Sequence, residues 1–133
     1  MKNDDANTNR FFESLEKVIR ENGVTIDRPK GSAHPRFLDL IYPIDYGYVN
    51  ETRSQDGQGI DIFSGDGESL GIVGIICSFD GMKKDSEVKI LYNCTEENIQ
   101  TAIKMMNNGP MCGILVRRKK QKSRNLRNSG NSV

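Results

Sequence analysis

Four aspartates of the 133-residue chain fall into two pairs of equal spacing: Asp56 with Asp61 around the turn DGQG, and Asp80 with Asp85 around DGMKK. A spacing of five puts two side chains on opposite faces of one straight strand. The members of each pair can therefore meet only across a turn, which Gly57, Gly59 and Gly81 permit. Four carboxylates gathered from two loops repel one another unless cations lie between them. An all-oxygen donor set suits Mg2+, Mn2+ or Ca2+ rather than zinc. Asp-Gly is also a common turn dipeptide, and a surface loop carries it for that reason alone. An EF-hand is excluded, because reading from Asp56 places Ile60 where an oxygen ligand belongs. The single histidine, His34, and the three separated cysteines, Cys77, Cys94 and Cys112, exclude a His-rich or CxxC zinc site and a disulfide framework.

The elements that must position these residues are short. Residues 9–21 place apolar side chains at 11, 12, 15, 18 and 19, one helical stripe, and Asn22-Gly23 ends it with C-cap chemistry. Apolar or aromatic segments then follow at 24–26, 41–49, 60–63, 70–79 and 88–92, separated by clusters of Gly, Asp and Ser. That texture predicts a compact antiparallel sheet or barrel. Thr95 with Glu96 and Glu97 opens a second helix. Ile99, Ile103 and Met106 give it an apolar face, and the Asn107–Pro110 turn stops it before a last strand at 112–116. The divisions are a helical segment 1–23, a β-rich domain with its C-terminal helix 24–116, and a tail 117–133.

Composition narrows the classes further. Hydrophobic residues make up 35%, Trp is absent and Gly numbers 13, which fits one modest core with many turns. The net charge of +1 conceals a division. Residues 1–97 hold all 18 acids against 11 basic residues, a net of −7; from 98 onward there are eight basic residues and no acid. No apolar run approaches the roughly 18 residues of a membrane helix, and the N-terminus has no apolar signal region. A cytoplasmic protein without membrane contact is expected. The tail reads as a solvated segment, with nucleic-acid binding through phosphate charges as its functional alternative.

One segment carries more specific information. Residues 42–63, YPIDYGYVNETRSQDGQGIDIF, resemble the family I soluble inorganic pyrophosphatases, whose signature is YPxNYGF/Y followed by DGDPxDV. Residues 71–93, GIVGIICSFDGMKKDSEVKILYN, are similar to that family's next segment, a strand leading to D-x4-D and then a lysine. IDRPKGSAHPRF, at 26–37, resembles its start. The resemblance implies an α+β fold, a small, highly twisted antiparallel β-barrel (OB-like) with flanking helices. It also implies hydrolysis of pyrophosphate or a related phosphoanhydride with Mg2+, or Mn2+ in its place, and assembly into homo-oligomers. By position, Asp56, Asp61, Asp80 and Asp85 match the metal ligands, and Asp27 an outer metal-associated acid. Arg36, Tyr46 and Lys89 match substrate contacts, Lys89 only with two extra residues after Asp85. Gln58 stands where the family has the aspartate taken as general base, so no catalytic group is assigned. The segment that carries a phosphate-binding arginine in the family is shortened here. A catalytically inactive module that binds metal and phosphate, or a partner, is the alternative these departures leave open.

Overall fold

The computed structural model describes the backbone of residues 2–119 and side chains from Asp4 onward. The N-terminal helix α1 (Lys2–Asn22) starts seven residues before the apolar stripe predicts; Asp4 and Asp5 lie in its first turn, where the helix dipole favours acids. Phe12 and Ile19 are buried on its sheet-facing side, with Leu15 and Val18 packed beside them. It ends as the Asn22-Gly23 pair predicts: Gly23 adopts φ +78° and its N–H reaches the Ile19 carbonyl at 2.8 Å.

Six strands follow: β1 (Val24–Arg28), β2 (Asp45–Val49), β3 (Asp61–Ser64), β4 (Ile72–Asp80), β5 (Asp85–Tyr92) and β6 (Met111–Arg117). Helix α2 (Glu96–Met105) lies between β5 and β6 in the chain. The strands form one sheet in the order β1-β2-β3-β5-β4-β6. The α+β class and the twisted sheet agree with the sequence, but two details differ from the expected barrel. The sheet is mixed, because β5 inserts between β3 and β4 and runs parallel to β3. It is also open, with β1 and β6 as its edges. Closure would require β6 to offer its outer backbone to β1. Instead the Asn107 side chain occupies that edge, donating to the Gly113 carbonyl and accepting from the Gly113 N–H, both at 3.1 Å.

Alternation along the strands sorts the core into two layers. One face carries Val49, Ile62, Ile75 and Ile90 against Phe12 and Ile19 of α1. The other carries Phe63, Ile76 and Leu91 against Ile99, Ala102 and Met106 of α2. Thr95 caps α2, accepting from the Asn98 N–H at 3.2 Å, while the Asn98 side chain accepts from the Thr95 N–H at 2.9 Å. Among the described residues no helix is long and apolar enough to cross a membrane.

Of the predicted tail, 120–133 lies outside the described residues. Its first three residues are bound to the body: Arg117 ends β6 and pairs with Glu96, Arg118 pairs with Glu16, and Lys119 with Asp5, each at 2.8 Å. Acids on both helices meet these cations.

Candidate functional site

On the α2 side of the sheet the apolar layer gives way to polar residues. Register explains which ones meet. Tyr46 of β2 lies opposite Phe63, and Tyr48 opposite Asp61. Asp61 in turn pairs with Lys89 across the parallel β3·β5 ladder. Glu87 is two residues from Lys89 on β5, hence on the same face. Gly47, between the tyrosines, lets β1 approach; a Cβ there would collide with the Thr25 carbonyl oxygen.

Lys89 is the centre of this cluster and is only 4% exposed. Its Nζ donates to Asp61 Oδ2 at 2.6 Å, Glu87 Oε1 at 2.9 Å and the Tyr46 hydroxyl at 3.1 Å, so all three ammonium protons have acceptors. Burial opposes the charge on Lys89, but Tyr46 and the Asp61 carboxylate outweigh it and hold the pKa above its ordinary value. Burial raises the Tyr46 pKa, so the phenol stays neutral. Two carboxylates and one ammonium leave the cluster with a net charge of −1.

An aromatic column backs the cluster. Phe63 meets Tyr46 edge-on at 4.8 Å, Tyr46 stacks with Tyr42 at 5.2 Å, and Tyr42 with His34 at 6.1 Å. Arg28, opposite Tyr46 in the β1·β2 register, lies 5.8 Å from the Tyr42 ring centroid and donates to its hydroxyl at 3.2 Å. His34 Nδ1 accepts from the backbone N–H of Arg36 at 3.0 Å and of Phe37 at 3.2 Å, which shapes the turn carrying Arg36. The His34 pKa is lowered by burial, then by the charges of Arg28, Arg36 and Lys83. A basic side formed by β1, the 34–37 turn and the β4–β5 turn therefore adjoins the acidic Asp61–Glu87 side.

The sequence-derived residues separate accordingly. Asp61, Tyr46 and Lys89 are brought together. Asp56 lies in the exposed turn before β3, where Oδ1 accepts from the Ser54 hydroxyl at 2.7 Å and the Gln58 N–H at 2.9 Å. Those bonds lower its pKa. Gln58 is exposed in the same turn, its carbonyl accepting from the Ser54 N–H at 2.6 Å. Asp80 and Asp85 face each other at the end of the β4–β5 hairpin, and Asp80 Oδ1 accepts from the Met82 and Lys83 N–H groups. Asp85 is four residues along β5 from Lys89, about 13 Å by strand rise. Asp80 and Asp85 thus meet across their turn as the spacing predicts, and neither is hydrogen-bonded to the Lys89 cluster. Among the described residues no three of His, Cys, Asp and Glu converge as a ready metal site.

Two residues escaped the sequence reading. Glu87 is signalled by the alternation Glu-Val-Lys at 87–89, which puts acid and base on one strand face. Arg28 had no local signal, since its approach to Tyr42 depends on β1·β2 pairing. With Arg28 in place, the shortened segment before Tyr42 does not leave the tyrosines without a neighbouring guanidinium.

The donor set can be tested against a magnesium ion. Mg2+ commonly takes one or two carboxylates and completes its shell with water and substrate phosphates. Asp61 and Glu87 supply two carboxylates on adjacent strands, with Asp56 nearby, and fit an ion that arrives with such phosphates. No protein-family model matches the sequence, and no curated protein matches it. Among solved structures, an inorganic pyrophosphatase from Neisseria gonorrhoeae is similar at 17% identity and a TM-score of 0.50, over 69% of this chain and 80% of that one. An inorganic pyrophosphatase from Helicobacter pylori is similar at 13% identity and 0.49, over 75% of this chain and 84% of that one. The first of these likenesses shows a pyrophosphatase-like fold.

Proposed function

We propose that this protein hydrolyses pyrophosphate, or a related phosphoanhydride, presented as its Mg2+ complex at the Tyr46–Asp61–Glu87–Lys89 face. The observation that carries the reading is the Lys89 ammonium set between two carboxylates and a phenol. Such alternation of charge suits a ligand that is itself a cation–polyanion pair. The pyrophosphatase-like fold and the 42–63 motif support the same substrate class.

Asp61 and Glu87 hold the cation, with Asp56 beside them. Lys89, the Tyr46 hydroxyl and Arg28 bind phosphate oxygens, and Arg36 extends the basic side. Bound magnesium would neutralise phosphate charge and lower the pKa of a bound water. At Gln58 an amide can orient water but cannot take its proton. The aromatic column keeps Tyr46 fixed and the Lys89 surroundings dry.

The test is phosphate release from pyrophosphate with Mg2+. Wild type should exceed Asp61→Ala by about a hundredfold or more, the usual scale for losing a positioned charged group. Gln58→Asp should raise the rate by restoring a proton acceptor. Equal rates for wild type and Asp61→Ala across pH and metals refute the reading. Gln58 itself favours the non-catalytic alternative, which saturable diphosphate binding without phosphate release would establish.

A further inference from the structure

Lys89 does more in this arrangement than await a phosphate. A buried ammonium with all three protons placed on Asp61, Glu87 and Tyr46 holds Asp61 Oδ2 and Glu87 Oε1, the two oxygens turned toward each other around it. A free divalent ion that takes those same two oxygens must drive Lys89 off both acids. The displaced ammonium, at a position only 4% exposed, then loses its two anionic partners. A metal–phosphoanhydride complex imposes no such loss: its cation takes the carboxylates while its phosphate oxygens receive the ammonium. Two ion pairs are exchanged for two others.

We infer that Lys89 acts as an internal competitor that keeps free divalent metal off Asp61 and Glu87 and releases the pair only to metal carried on a phosphoanhydride. The inference rests on the proposed substrate class and deepens it: the species recognised is the complex, and metal and diphosphate bind with positive coupling. Coupling is reciprocal, so each ligand raises the affinity for the other by one factor. Asp80 and Asp85 lie outside this competition, since Lys89 does not reach the hairpin end.

The test measures binding, without turnover. Mn2+ binding to the full chain is followed by electron paramagnetic resonance, with and without methylenediphosphonate, a non-hydrolysable diphosphate. Wild type should bind Mn2+ at least about tenfold more tightly with the diphosphonate than without it, within the usual range of such couplings. Lys89→Met keeps the stem and removes the charge. It should bind Mn2+ alone at least about tenfold more tightly than wild type and lose most of the coupling. Wild-type Mn2+ affinity indifferent to the diphosphonate overturns the inference, as does a folded Lys89→Met that binds Mn2+ no better than wild type. If Lys89→Met fails to fold, the wild-type comparison decides alone. Coupling without phosphate release from pyrophosphate would refute hydrolysis and leave this inference standing.

Discussion

A ring nitrogen that accepts two backbone N–H groups can do so only while unprotonated, and His34 Nδ1 is in that position with Arg36 and Phe37. Its pKa lies below the ordinary 6.5 because burial and the charges of Arg28, Arg36 and Lys83 disfavour the imidazolium. The unfolded chain therefore binds the proton more readily. The stability His34 contributes is full above about pH 6.5 and falls as pH drops through its lowered pKa. The protection factors of the Arg36 and Phe37 amides, their exchange relative to the intrinsic rate, should fall on acidification. His34→Asn, whose side-chain oxygen can accept the same two N–H groups without titrating, should flatten that dependence, and His34→Ala should leave both amides fast at every pH. Equal pH profiles for wild type and His34→Asn would show that the turn does not depend on this nitrogen. The same residue-level logic separates three of the aspartates. Side-chain bonds within a turn hold Asp56 and Asp80, whereas Asp61 is held by a residue from another strand.

At the level of elements, one buried polar side chain ties the start of α2 to the loop after β3. Asn98 completes the capping box with Thr95, accepts from the Asp66 N–H at 2.8 Å and donates to the Asp66 carboxylate at 3.0 Å. Asn98→Ala should cost about 2 kcal/mol through the lost cap and the stranded partners, read as a lower denaturation midpoint with an unchanged m-value. A cost below ~0.5 kcal/mol would mean that packing alone seats the helix. Thr95, the Asn22-Gly23 stop and the apolar stripe of α1 were legible in the sequence because each is set by neighbours within four residues. The parallel β3·β5 ladder was not, since β4 intervenes in the chain and no local pattern records which strand β5 will join. Arg28 was missed for the same reason, since its role follows from cross-strand register. Glu87 is marked locally by the 87–89 alternation, but turn spacing drew attention to the aspartates instead.

Across the whole molecule, the basic residues 117–119 fold onto acids of the two helices. Arg118 bonds Glu16, which also accepts the Ile72 N–H at 2.9 Å, and Lys119 reaches Asp5. A chain ended after Val116 should melt several degrees below one ended after Lys119, about 5 °C if the half-buried Arg118–Glu16 pair contributes roughly 1 kcal/mol. Identical melting would show these contacts to be incidental. The sheet consists of two parts, β1-β2-β3 and β5-β4-β6, that meet along the β3·β5 ladder and its continuation, where the Gly65 N–H donates to the Tyr92 carbonyl. Tyr46 and Asp61 come from the first part, Glu87 and Lys89 from the second. The join pairs residues 28 positions apart and β4·β6 pairs residues 31 to 43 apart, so both close after the β4–β5 hairpin. Neither part alone contains the whole cluster: the Glu87–Lys89 pair is present on β5 by itself, but Asp61 and Tyr46 reach the ammonium only when the seam zips, and a local opening of the seam takes both away.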